Sequence, residues 1–524
     1  MARARKTTPI AAPAAPMTGE PLFTGRDWDF GLLDRVYGAI QEIAESELKL
    51  DIYPNQIEVI TSEQMLDAYA STGMPLFYKH WSFGKHFVRN ETLYRKGWQG
   101  LAYEIVINSS PCIVYIMEEN SATMQTLVLA HAAFGHNHFF KNNYCFKQWT
   151  DATSILDYLA FAKKFVASCE DRYGQENVEQ ILDAAHALMS HGVHRYPGKH
   201  ALDLRSEQRR QEERQAFAEQ HFSDLWRTLP KTASRKKRDG EDERRRQMLG
   251  LPEENILYFL EKNAPRLAGW QRELIRIVRQ IAQYFYPQRQ TKVMNEGCAT
   301  FTHYRLMSRL HERGKITDGS FLEFLHSHTS VVFQPEYDDQ RYSGINPYAL
   351  GFAMMEDIER IALNPTPEDR AFFPDFAGCG DGYGVLRDAW ANYRDESFIL
   401  QFLSPAVIRK QKLFRLVDDS EDPEIVVASI HDERGYKAVR QSLSRQFDVG
   451  RQDPDIQVAD VDLAGDRKLI LHHNVVDGIT LDGKDAAKVL HHLANLWGYD
   501  VKLLEIEEGE TIAAHDGSPS RAFR

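Results

Sequence analysis

Five cysteines are spread through 524 residues, and no two of them form a CxxC pair. That spacing excludes a thiolate zinc finger and offers no disulfide framework, so the expected compartment is the reducing cytoplasm. No stretch approaches the roughly 18 consecutive apolar residues of a membrane span. Positive charge is also scarce: 63 Lys and Arg stand against 75 Asp and Glu, a formal net charge of −12. A general nucleic-acid binder needs a basic surface to neutralise phosphates, so none is expected. Familiar catalytic signatures are missing as well, with no Gly-x-Ser-x-Gly element, no kinase signature set and no HExxH. The glycines of "FAGCGDGYG" follow no strand and precede no Lys-Ser/Thr, which argues against a phosphate loop.

What is present is enough for more than one hydrophobic core, and two domains are expected. Residues 1–25 start basic and continue as Ala and Pro, without the apolar core of a signal peptide, and are expected to be a disordered tail. Residues 26–412 read as a mainly helical core domain with a small mixed sheet. Its first helix is "DFGLLDRVYGAIQEIAESEL", and "YEIVINSSPCIVYIMEEN" reads as a strand pair around "SSP". Within the domain, residues 203–250 are dominated by charge, as in "SRKKRDGEDERRR", and read as a solvated helix with a mobile linker. Pro287 is expected to separate two later helices. Residues 413–508 run strand, helix, strand, strand, helix, strand, the βαββαβ order of a ferredoxin-like domain. A flexible tail, 509–524, is expected to follow. The fold class is therefore α+β.

The candidate chemistry lies in "HAAFGHNHFFKNN", residues 131–143. His131 and His136 are five residues apart, which in an α-helix sets them roughly 140° apart around the axis. They can share an ion only if the helix ends at Gly135, with that glycine in the left-handed conformation. The third ligand is expected from "MNEGCATFTHY", where Glu296 precedes His303 by seven residues. A rise of roughly 10.5 Å between them makes joint coordination difficult, so Glu296 is taken as ligand and His303 as acid/base or outer support. Two imidazoles and a carboxylate suit zinc; the competing reading is a set of histidines packed and hydrogen-bonded in a core. A hydrolase would still need a base, because Ala132 stands where HExxH has glutamate. Glu118 or Glu119 at the end of the preceding strand, or His303, would have to serve, and His303 and Glu119 are the expected catalytic pair. His138 is expected in a polar surface role, and "LHSHT" (His326, His328) as a helix end.

Taken together, "HWSFGKHF", "LAHAAFGHNHFFKNN", "QRQTKVMNEGCATFTHY", "LEFLHSHTSVVFQP", "YSGINPYALGFAMMEDIERI" and "DESFILQFLSP" resemble the stage V sporulation protein R (SpoVR) family of bacteria. The likeness spans residues 25 to 505. It departs from the family pattern at Cys298 and Thr302, where tryptophan is usual, and at His194, where aspartate is usual. The resemblance implies a link to formation of the spore cortex, a peptidoglycan layer. In bacteria that make no spores it implies association with a PrkA-type serine kinase and a von Willebrand A-like protein in stress responses. The expected activity is metal-dependent hydrolysis of an amide or peptide bond, the alternative being a non-catalytic scaffold of the kinase system. More distantly, HxxxGH and NEGxA are similar to the HExxPGH and EGWA segments of helical metallopeptidase-like proteins, where the histidines and the glutamate bind zinc. A metallopeptidase-like core is the fold this implies.

Overall fold

The computed structural model of the chain describes residues 20–70, 78–81, 104–195, 249–417, 426–428, 432–462 and 465–520. The N-terminal tail, most of the charged stretch and most of "HWSFGKHF" lie outside these residues. Helix α1 (Phe30–Ser46) starts where the Asp29 carboxylate accepts the Leu32 N–H. Its Leu32, Leu33, Val36, Ile40 and Ile43 recur at helical spacing and form the buried stripe. A three-stranded sheet follows, in the order β1 (Asn55–Ile60), β3 (Cys112–Met117), β2 (Glu104–Ile107). β1 runs parallel to β3, with α2 (Ser62–Ala70) leading away from it, and β2 pairs antiparallel to β3 across the "SSP" turn. β3 is apolar on both faces, so it takes the central place.

Helix α3 (Ala122–Val128) runs without interruption into a π-helical segment, Leu129–His136. Two amphipathic helices, α4 (Ile155–Tyr173) and α5 (Gln175–Ala187), break at Gly174, whose φ is +88°. They pack with α6 (Ile256–Asn263) and α7 (Gly269–Gln290). Contrary to the expected break, Pro287 lies inside α7 near its end; the chain turns at Thr291, whose hydroxyl donates to the Pro287 carbonyl. α8 (Lys292–Glu312) is the central helix, wedged between the π-helical segment, α9 (Asp318–Val331) and α10 (Pro347–Leu363). Glycine makes this possible by allowing close approach. A Cβ on Gly135 would lie 2.6 Å from the Ala299 Cα, and one on Gly297 would lie 2.7 Å from the Gly351 Cα. The first turn of α8 has no side-chain cap of its own. Asp395, buried at the start of α11 (Asp395–Phe402), accepts the N–H groups of Val293 and Met294, each at 2.8 Å.

The C-terminal region departs from the expected ferredoxin-like arrangement. Among the described residues, Val426–Ala428 (β5) pairs with Arg415–Val417 (β4) in a sheet separate from the larger one. Helix α12 (Glu433–Gln446) buries Tyr436, Val439 and Leu443 in the core around α8, and so belongs to the helical region. The larger sheet has the order β6 (Asp455–Val461), β7 (Leu469–Asn474), β8 (Val501–Glu507), β9 (Glu510–Gly517). β7 and β8 are parallel through the crossover helix α13 (Gly483–Trp497), and the outer pairs are antiparallel. β9 occupies residues expected in a flexible tail; Glu508 and Gly509, both at positive φ, close its hairpin with β8. Nor does this sheet own its core. Leu490, Leu493, Trp497 and Leu503 share one apolar cluster with Leu257, Phe259, Leu274 and Ile281 of α6 and α7. The junction is clamped by Arg195, which donates to the carbonyls of Asp453 and Pro454, and by Arg289, bidentate on the Asp453 carboxylate.

Two outcomes are expected from this packing. Gly135→Ala and Gly297→Ala should each destabilise the protein by about 1–3 kcal/mol, the cost of overpacking a filled core. Gly38→Ala, in α1 with no atom within 4 Å of its would-be Cβ, should instead stabilise by about 0.5–1 kcal/mol. Denaturant melts of the three variants give the signs, and a neutral Gly135→Ala would mean that the backbones can part. A fragment of residues 454–520 made alone should show no cooperative unfolding, because Trp497 and Leu493 lose the surface they pack on; sharp amide dispersion would contradict this.

Candidate metal centre

Whether His131 and His136 can act together depends on helix pitch. In α-helix they diverge, but the π-helical segment carries i→i+5 hydrogen bonds, and residues five apart come to lie over one another. Their ring centroids are 4.6 Å apart, with the planes nearly perpendicular at 88°. The left-handed Gly135 expected from the sequence is therefore not what brings them together. Gly135 stays helical, outside the positive-φ residues, and its contribution is the missing Cβ against Ala299.

Across this contact α8 supplies Glu296. One ligand atom from each of His131, His136 and Glu296 falls within a set no more than 4.8 Å across. His136 presents Nε2 to Glu296 Oε2 at 3.6 Å, while its Nδ1–H donates to Asn295 Oδ1 at 2.9 Å. His131 is held the same way: Nδ1 shares a 2.8 Å hydrogen bond with His303 Nδ1, and Nε2 faces a carboxylate. Both rings thus have one nitrogen tied behind and one turned to the same space, the arrangement by which an outer partner sets the tautomer and aim of a ligating histidine. Glu296 Oε2 is buried and, among the described residues, has no hydrogen-bond partner. A buried carboxylate oxygen without a donor is costly unless a cation or a proton sits against it.

The carboxylate facing His131 Nε2, at 3.7 Å, is Glu104 on β2, a residue the sequence reading passed over. Burial, and then the neighbouring Glu296 charge, push Glu104 up to about 8. A signal was available in strand periodicity. Residues 104 and 106 share a face, and Val106 packs into the same core as the π-helical segment, so a glutamate two residues before it points at that segment.

The remaining expected residues divide. His303 stands behind His131, and its Nε2 is 2.9 Å from His328 Nδ1, making a row of three imidazoles. Burial, and then the neighbouring imidazoles His328 and His136, hold His303 well below the usual histidine range. Burial takes His328 down to about 4. His328, expected at a plain helix end, is thus buried within this row, while its neighbour His326 is exposed. Glu119 is exposed, and its carboxylate accepts the Ser62 N–H at the start of α2. No contact described for Glu119 joins it to the histidines. His138, expected at a polar surface, is buried; its Nδ1 accepts the Asp51 N–H and its ring lies edge-on to Trp390. Asp395 also bears on the site, since by capping α8 it sets the turn that carries Asn295 and Glu296. Burial pushes its carboxyl up to about 7, against the N–H donors that favour the anion.

The arrangement offers two imidazole nitrogens and one carboxylate on rigid helices, with a second carboxylate opposite. That donor set fits zinc or a similar first-row divalent ion. Comparison with known proteins puts this geometry in context. Residues 27–452 match the family described as SpoVR like protein, and residues 454–508 match the SpoVR-like C-terminal domain. The boundary between the two falls at the Asp453 clamp. The chain is similar to Uncharacterized protein YcgB of Escherichia coli (strain K12), with 52% identity over 500 residues, 95% of this chain and 97% of that protein. No solved structure matches. With both regions matched along nearly their whole length, the chain belongs to the SpoVR family.

Proposed function

We propose that the chain is a metal-dependent hydrolase of amide or peptide bonds, with His131, His136 and Glu296 as the protein ligands of a zinc ion. The observation that carries this reading is the orphaned Glu296 Oε2, buried 3.6 Å from His136 Nε2, inside a set of ligand atoms no more than 4.8 Å across. A structural core would satisfy that oxygen with a donor. When bound, such an ion lowers the pKa of a coordinated water to about 7 and polarises a carbonyl.

The chain's own residues supply the rest. Glu104 takes the part for which Glu119 and His303 were expected: it is the carboxylate beside the ligand set, 3.7 Å from His131 Nε2. His303 orients His131 through the Nδ1 bond and does not meet substrate. Asn295 does the same for His136. The family's association with the spore cortex makes a peptide or amide linkage of the cell wall, or of protein turnover, the substrate class to try first.

Elemental analysis of the purified protein should find about one zinc per chain, lost in His136→Ala and in Glu296→Ala. His303→Ala should keep the ion with an affinity roughly 10–100-fold lower, the usual effect of removing an outer partner. A wild type that is metal-free, folded and indifferent to Glu296→Ala would sink the reading. Glu104→Gln should retain the metal while hydrolysis of a peptide library or of peptidoglycan fragments falls roughly 10²–10⁴-fold. Retained activity in that variant would remove Glu104 from the chemistry while leaving the ion in question untouched.

A further inference from the structure

The row of imidazoles behind the ligand set joins three elements, with His131 on the π-helical segment, His303 on α8 and His328 on α9. His131 Nδ1 lies 2.8 Å from His303 Nδ1, and His303 Nε2 lies 2.9 Å from His328 Nδ1. All three side chains are buried. Burial, helped by the neighbouring imidazoles, keeps His131 and His303 uncharged, and burial alone does so for His328. Each ring therefore carries one proton. Each contact between two nitrogens also needs one proton, because two would collide and none would set one pair of unshared electrons against another.

Only two orders satisfy both contacts. In the first, His131 Nδ1–H donates to His303 Nδ1, His303 Nε2–H donates to His328 Nδ1, and the His328 proton sits on Nε2. In the second, every proton moves to the other nitrogen of its own ring, and His131 carries its proton on Nε2. The number of protons is the same in both. What differs is His131 Nε2, which is open to an ion in the first order and blocked by hydrogen in the second.

A histidine side chain by itself prefers its proton on Nε2. The first order gives that form to His303 and His328, whereas the second gives it to His131 alone, so two rings outweigh one. With His131 and His303 only, the orders would tie, each leaving one ring in its less favoured form. The third imidazole decides. Its surroundings add to its weight: the His328 ring stands among those of Phe352 at 4.7 Å, Tyr304 at 4.9 Å and Phe324 at 5.7 Å between centroids. Among the described residues its only hydrogen bond is through Nδ1. Aromatic faces are electron-rich, so next to them an N–H is favoured over unshared electrons at Nε2. Glu104, 3.7 Å from His131 Nε2, pulls the other way, but from beyond hydrogen-bond reach.

We propose that His328 is a positioning residue for the metal centre: acting through His303, it fixes the His131 proton on Nδ1 and so presents Nε2 bare to the ligand space before an ion arrives. For His136 the Asn295 Oδ1 does this in one step, since a carbonyl oxygen only accepts. His303 can accept or donate at either nitrogen, so it needs a further residue to give it direction. The use of this order rests on the metal-centre reading, but the order itself belongs to the metal-free chain and is tested there.

The full-length protein, labelled with nitrogen-15 at histidine and treated with chelator, is measured by magic-angle-spinning NMR at neutral pH, where protonated and bare ring nitrogens differ in shift. The chain has 20 histidines, so the His131 pair is identified by its loss in His131→Asn. Wild type should show His131 with a protonated Nδ1 and a bare Nε2. His328→Gln keeps a hydrogen bond to His303, but its amide can accept or donate, so His131 should become a mixture of both forms. A merely structural His328 would leave the His131 form unchanged in that variant. His328→Phe keeps the bulk of a ring without the acceptor and should move the ratio of the two forms roughly two- to tenfold toward Nε2–H, the worth of one net hydrogen bond. The proposal is overturned if the wild-type His131 proton is on Nε2, or if either variant, folded by circular dichroism, keeps the wild-type pattern. Zinc uptake is read separately: a wild type with the expected proton order and no affinity for zinc would defeat the metal centre and leave the order of the row standing.

Discussion

Gly135 and Ala299 bring two helical backbones closer than any pair of larger residues allows, with only 2.6 Å between the position of a Gly135 Cβ and the Ala299 Cα. The π-helical segment alone would set His131 and His136 side by side, facing nothing. Close approach to α8 puts Glu296 in front of them and Asn295 and His303 behind them. The same device recurs on the far side of α8, where Gly297 meets Gly351, so the central helix is gripped from both directions. Ligand geometry here is inherited from main-chain contact between long elements rather than from loops, which is how a site acquires tight positional tolerance.

That packing also governs the electrostatics. Imidazoles buried next to one another stay neutral, because burial and their mutual repulsion both oppose the cation. Two carboxylates face His131 and His136, and one of them, Glu104, already resists ionisation. Among the described residues these two acids have no fixed positive partner, so the pocket is balanced by whatever cation or proton enters it. The row His131, His303, His328 extends away from the acids into an aromatic environment of Phe324 and Phe352. Charge is thereby confined to one side of His131.

Much of this was legible from residue pattern. α1 was readable because its apolar residues keep helical spacing. His131, His136 and Glu296 were readable as residue types, and the family was readable from long motifs. The geometry joining them was not, because a π-helical segment has no compositional mark; a five-residue spacing read as α-helix demands a break at Gly135 that does not occur. Glu104 was hidden because a lone charge at the end of an edge strand reads as solvent-facing. In the C-terminal region the helices and most strands were visible. The partner of "ERGYKAVRQSLSRQ" was not, since an amphipathic stripe says that it needs a core and not which one. β9 looked like a tail because its side chains are mostly exposed. Its order comes from main-chain pairing with β8, which side-chain pattern does not record.

Asp395 completes the first turn of a helix that begins about a hundred residues before it, with sequence separations of 102 and 101 to the N–H groups it accepts. On a ribosome adding roughly 5–20 residues per second, that interval lasts about 5–20 s. Throughout it, the nascent chain holds His131, His136 and Glu296 without the residue that sets the turn carrying Glu296. The cap on that turn is thus a late product of vectorial synthesis, supplied by a residue made long after the helix it completes.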